Sequence, residues 1–436
     1  MILFANTITS RLRYIADFIG KELLGRPFIL TTNEGDFRNY DGIRINYTSS
    51  PVLPLQECWI KPHPILFEEG ILEQKLDITG AGKETIFFQA AGDMGFDIFG
   101  ASFFLLSRYE EYLPHSKDSY GRYAHTNSAA FRYEFLQIPL INYWIKDFRR
   151  KLEGLFPGMK TGTKHFAFLP TYDIDEMFSF RHKSGYRNLG GLARSVISGN
   201  FKEAVKRLQV WSGMKPDPFN SYAWMDAFHS KHALNPVYFF LVAEKTGRYD
   251  RHIPPNEKVI QELIRQHSLK YETGIHPSWQ TGDDPALLNQ EIKRLETITG
   301  KPVSASRQHF IRMQLPGTYR NLVSAGIRND YSMGYGSING FRASVASAFR
   351  WYDLEKEEIS HLTIYPFCFM EANSFYEQKQ SPTEALSELQ FYIDVVAEID
   401  GMLITIWHNT FLGTDAKFRG WRETYIEFVN RIIQRI

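Results

Sequence analysis

A chain of 436 residues allows two or three domains and a sizeable core. A net charge of +1 leaves no electrostatic footprint for nucleic acid or an anionic membrane, and two isolated cysteines, Cys58 and Cys368, exclude a disulfide framework and fit a reducing compartment. No apolar run is long enough for a membrane span, and Arg11, Arg13 and Asp17 interrupt the N-terminal apolar pattern, so no signal peptide is predicted and a cytoplasmic protein is expected.

In chain order, residues 8–24 carry helical spacing. Residues 27–32 and 43–48 read as strands, with turn signals between them at Asn33-Glu34-Gly35 and Asp41-Gly42. Gly80-Ala81-Gly82-Lys83-Glu84 is not a phosphate loop, because Asp77 stands where its first Gly belongs and Glu84 where its Ser/Thr belongs. Residues 96–113 and 135–155 read as helices, with Glu110 and Glu111 expected as a solvated edge. Pro157-Gly158 stops the second helix, and 160–164 is a short polar linker. A smaller α/β domain is therefore expected over 1–160 and a second domain over 165–436.

From residue 165 the rhythm becomes strand, helix, strand. Strands are predicted at 165–172, 235–241, 269–276, 302–309, 327–330, 362–366 and 402–408. Helical patterns fall at 222–233, 257–267, 285–299, 316–325, 383–399 and 421–436. Such alternation means parallel strands joined by right-handed crossovers, and this many strands fit an incomplete (β/α) barrel better than an open sheet.

Polar residues end four of these strands. The first ends in Asp173 and Asp175, the third in His276, the fourth in Arg307 and His309, and the last in His408. Strand C-termini share one rim of a barrel, so these groups can converge there. Two Asp at i and i+2 suit a metal-dependent hydrolase, one holding the cation and the other taking a proton from the attacking water. Asp is equally at home in a turn, so the pair alone fits either reading. One Asp with two His makes a facial metal site. His165, His229, His232 and His267 are assigned to structure.

This pattern resembles the NodB-homology polysaccharide deacetylases. Thr171-Tyr172-Asp173-Ile174-Asp175 resembles the family's Thr-Phe-Asp-Asp run with one residue inserted. His276 matches the first His of its His-Ser/Thr-x-x-His motif, while Gln280 stands in place of the second. Arg307-Gln308-His309-Phe310 is similar to its Arg-x-Pro-Tyr motif, and Leu403, Thr405, Ile406 and His408 loosely follow its last motif. Asp330-Tyr331-Ser332 sits where the family has a further short acidic motif.

The resemblance covers 165–436. It implies a distorted (β/α)7 barrel, preceded by an N-terminal domain of unassigned function, and removal of an acyl group, acetyl first, from an amino sugar or glycan. Its cofactor is a divalent metal, with zinc the first expectation, held by Asp175, His276 and His309, the last replacing the missing ligand at Gln280. Asp173 is the implied base, Arg307 its orienting partner and His408 the acid. Trp279, Tyr335 and Trp407 are expected to stack on sugar, and the Tyr331 N–H to receive the oxyanion. The implied partner is a carbohydrate substrate, with no nucleic acid and no membrane span. Two rival functions stay open: a glycan-binding barrel without catalysis, and hydrolysis of a small non-sugar amide.

Overall fold

The structure is a computed structural model that describes residues 1–158, 162, 165–183 and 185–436. The linker predicted at 160–164 lies, apart from Gly162, outside the described residues.

The first unit holds a four-stranded sheet. Strands β1 (Ile2–Phe4), β2 (Ile29–Thr31), β3 (Arg44–Asn46) and β4 (Cys58–Trp59) run in the order β2-β1-β3-β4, all parallel. The helices Ile98–Leu106 and Leu140–Leu155 confirm the two long helical patterns, with shorter bounds. All nine residues of Ile98–Leu106 are buried, which suits an apolar stretch with no polar face.

The second unit holds nine strands. They are β5 (Ala167–Ile174), β6 (Val237–Phe240), β7 (Glu272–Ile275), β8 (Ala305–Ser306), β9 (Asn329–Asp330), β10 (Phe349–Asp353), β11 (Glu358–Ile364), β12 (Phe369–Met370) and β13 (Met402–His408). Their order is β10-β11-β9-β8-β7-β6-β5-β13-β12. Only β10 and β11 pair antiparallel. The expectation of a barrel is corrected here to a mixed α/β sheet with no closing pair among the described residues. Antiparallel β10 occupies the outer edge of β11, so β12 has no free parallel edge to close on.

The sheet is nonetheless strongly curled. The Arg307 side chain, just beyond β8, donates to Thr171 Oγ1 on β5 at 2.7 Å. Three strand spacings in a flat sheet would hold those strands about 14 Å apart. Inside the curl, Arg307 lies over the rings of Phe239 at 4.5 Å and Phe367 at 5.9 Å. Strand alternation sets the two faces. On β5, Leu169, Thr171 and Asp173 point into the curl, while Phe168 and Tyr172 pack against the helix Trp421–Ile433.

The two units share one core, and a buried ion network fastens them. Arg342 donates to both Glu111 oxygens, Nε to Oε1 at 2.8 Å, and Arg108 Nε donates to the same Oε1 at 2.8 Å. Arg108 also donates to the Arg342 carbonyl. The solvated edge expected at Glu110 and Glu111 is thus corrected, because both are buried, Glu111 at the seam between units. Burial opposes the Glu111 charge, but Arg342 and Arg108 outweigh it and hold the carboxyl at about 2. Glu111→Gln leaves two buried guanidiniums without their counter-charge. A loss of about 3–5 kcal/mol in urea denaturation is expected; a loss below about 1 kcal/mol would mean that the network does not fasten the units.

Candidate active site

The rim at the C-terminal ends of the strands gathers the predicted groups. Asp173 ends the inward face of β5, and Asp175 follows two residues later. Arg307, fully buried, donates to Asp173 Oδ1 at 2.9 Å, to Thr171 Oγ1 and to the Tyr331 carbonyl at 3.0 Å. His276 Nε2 lies 3.1 Å from Asp175 Oδ1, His309 Nε2 lies 3.4 Å from Oδ2, and His408 Nε2 lies 3.6 Å from Oδ2. Three imidazoles from β7, β8 and β13 therefore face one carboxylate from β5.

Each ring is held from behind by an acceptor. His276 Nδ1 donates to the Arg307 carbonyl at 2.6 Å, His309 Nδ1 to Asp250 Oδ1 at 2.9 Å, and His408 Nδ1 to Glu371 Oε1 at 2.8 Å. A carbonyl or carboxylate can only accept, so Nδ1 carries the hydrogen and the neutral ring presents its Nε2 lone pair to the centre. Burial would raise the Asp175 pKa, but His309, His276 and His408 outweigh burial and hold the carboxyl well below its usual range. Burial would lower the His309 pKa, yet Asp175 and Asp250 push it up to about 9. Burial likewise opposes His408, yet Glu371, then Asp175 and Asp173, push it up to about 10. The cluster thus binds protons that a divalent cation can displace.

The donor set fits such a cation. One ligand atom each from Asp175, His276 and His309 lies within 4.8 Å of the others. Asp175 Oδ1 is sealed from solvent and makes no well-aligned hydrogen bond. One carboxylate and two imidazole nitrogens suit zinc or a similar ion. Gln280 stays outside the cluster, its amide 3.4 Å from Asp250 Oδ2.

A cleft of about 770 Å³ opens over these groups and draws residues from both units. The first unit contributes Tyr120 and Arg122 from a hairpin closed by the Lys117–Tyr123 bridge. Arg122 donates to Asp118 at 2.7 Å and to the Phe310 carbonyl at 2.6 Å. Gly336 makes room for it, since a Cβ there would lie 2.0 Å from Arg122 Nη1. Phe310 and Ile311 follow His309 with φ of 59° and 53°, a left-handed conformation that costs a non-glycine residue energy. Arg122 therefore pins the strained turn next to the candidate ligand His309. Tyr120, Tyr249 and Phe310 form one wall, with Trp279 stacked behind Tyr249 at 4.1 Å.

The four predicted substrate contacts need correction. Trp407 is fully buried against Trp421 and Tyr425, because one residue before His408 on β13 points to the opposite face. Tyr335 is buried at the seam, where its hydroxyl accepts from Arg108 at 3.3 Å. Tyr331 is buried against Tyr365, and its N–H donates to the Ser306 carbonyl at 2.8 Å, so the sheet already occupies the proposed oxyanion donor. Trp279 supports the cleft wall from behind. The sequence reading missed Asp250, Glu371 and Tyr120. Glu371 had a signal, since Phe367-Cys368-Phe369-Met370-Glu371 is an apolar run ending in a carboxylate, the same pattern that marked β5. Asp250 lies in an irregular loop after β6 and had none.

Comparison with known proteins adds the following. Residues 1–157 match the model of DUF7033, a family of unknown function. No curated protein matches the chain. A Mycobacterium smegmatis protein provisionally named a polysaccharide deacetylase aligns with 62% of this chain and 85% of its own, at 13% identity and a TM-score of 0.40. The polysaccharide deacetylase of Bacillus cereus aligns over 62% and 88%, at 9% identity and a TM-score of 0.31. A glycoside-hydrolase family 57 branching enzyme of Thermococcus kodakaraensis aligns over 62% and 68%, at 7% identity and a TM-score of 0.34. All three likenesses are distant, and none fixes the activity of this chain.

Proposed function

We propose that this chain is a metal-dependent hydrolase that removes an acyl group, acetyl first, from an amino sugar or glycan. The observation that carries this reading is the convergence of Asp175, His276 and His309 beside two further pairs, Asp173–Arg307 and His408–Glu371. Held by that triad, a divalent cation supplies Lewis-acid polarisation of the acyl carbonyl and a lowered pKa for the attacking water. Asp173 takes the proton of that water, and Arg307 fixes its orientation. His408, its Nδ1 on Glu371, gives its Nε2 proton to the leaving amine or alkoxide. Tyr120, Tyr249 and Phe310 offer aromatic faces to a sugar ring.

The test is acetate release from N-acetylglucosamine oligomers by the full chain, before and after chelation and zinc return. Release that stops on chelation and resumes with zinc is expected. Glycan binding without release selects the binding-protein reading, and turnover of small cyclic amides alone selects the amidohydrolase.

A further inference from the structure

The helices Gly185–Ile197 and Phe201–Trp211 are inserted between β5 and β6, and the first is inside out. In the first, Tyr186, Leu189, Val196 and Ile197 are exposed, Tyr186 at 83% and Ile197 at 86%. At 100° per residue these four fall within an arc of about 100°. The buried positions Asn188 and Ser195 lie on the opposite side, so the polar face packs inward and the apolar face meets solvent. In the second helix Phe201, Val205, Leu208 and Trp211 recur at three- and four-residue spacing and are all exposed. With Met214, this hairpin holds nine of the 21 exposed large hydrophobic residues among those described. An apolar surface of this kind marks an interaction site.

Charge selects the occupant. Residues 181–215 contain eight Lys and Arg against a single acid, Glu203. The chain-wide net charge of +1 conceals this local excess. Arg181, Arg194, Lys202 and Lys215 are exposed around the apolar stripes. A second copy packed on the same face by two-fold symmetry would set these cations against themselves. A bilayer carrying anionic lipid satisfies both features, since aromatic and aliphatic side chains enter the headgroup boundary while Lys and Arg meet the lipid phosphates.

We propose that the 185–211 hairpin docks this protein on the surface of an anionic lipid bilayer. Among the described residues no helix is long and apolar enough to cross a membrane, and docking of this type requires none. The hairpin stands beside the cleft mouth. Lys206 pairs with Asp415 at 2.9 Å and Lys183 with Glu176 at 3.0 Å, and both carboxylates line the cleft.

The test is co-sedimentation of the full chain with phosphatidylcholine vesicles, with and without phosphatidylglycerol. Binding to the mixed vesicles only, weakened by salt, is expected. Ile197→Glu with Phe201→Glu should reduce it at least about tenfold with an unchanged melting temperature, because both side chains are exposed. Arg194→Glu with Lys202→Glu should do the same through charge. No binding to either vesicle would overturn the inference. So would a wild-type dimer that Ile197→Glu with Phe201→Glu turns into a monomer, because a second copy would then cover the face.

Discussion

Asp173→Asn is expected to lower the turnover number by about 10²–10⁴ while the bound metal stays in place. Asn keeps the shape of the side chain, and its amide oxygen still accepts from Arg307, which also holds Thr171 and the Tyr331 carbonyl. What it loses is the ability to take a proton. Asp173 is not among the three groups that form the cation site, so metal content measures a separate property. The pair of readouts decides the assignment. Lost turnover with full metal content makes Asp173 the base. Retained turnover refutes that role, and loss of both makes Asp173 part of the metal site. A fall in melting temperature is expected as well, because the change leaves the fully buried Arg307 without a charged partner.

The site was more legible in the sequence than the fold around it. An apolar run that ends in polar residues is a physical signature of a buried parallel strand with its C-terminus at a rim, and it located β5, β7 and β13 with their Asp and His residues. The same signature lost power where strands shrink. The strands predicted at 302–309 and 327–330 contain β8 and β9 but shrink to two residues each, and β12, also of two residues, carries neither length nor period, so Glu371 went unnoticed behind it. The antiparallel β10, which takes the outer edge of β11, ends in Tyr352-Asp353 and gives no periodic warning of its direction. Aromatic residues were misread for a related reason. A ring beside a site residue in sequence faces away from it on a strand, as Trp407 does from His408. The contribution of the first unit was beyond any local pattern, since Tyr120 and Arg122 reach Phe310 across 188 or more positions of chain.

The metal site gives the other large effect. Wild-type protein returned to zinc should hold about one equivalent, and His309→Ala should hold none after dialysis, because two remaining ligands rarely retain zinc against water. His408→Ala is the necessary companion. Its Nε2 stands 3.6 Å from Asp175 Oδ2, close to the 3.4 Å of His309, so distance to Asp175 alone leaves two histidines competing for the third position. Their partners differ. The acceptor on His309 Nδ1 is Asp250, buried and tied to the Trp279 N–H at 2.9 Å, which fixes the ring as a ligand requires. The acceptor on His408 is Glu371, which also binds the His408 backbone N–H at 2.6 Å and holds a proton on the ring up to about pH 10. The His309 pKa is raised as well, so the mutual spacing of the ligand atoms decides: those of Asp175, His276 and His309 lie within 4.8 Å of one another, and His408 is not in that group. His408→Ala should therefore keep its zinc and lose turnover. If instead His309→Ala keeps zinc and His408→Ala loses it, the two roles are exchanged, and the acid must be sought at His309, with Asp250 behind it.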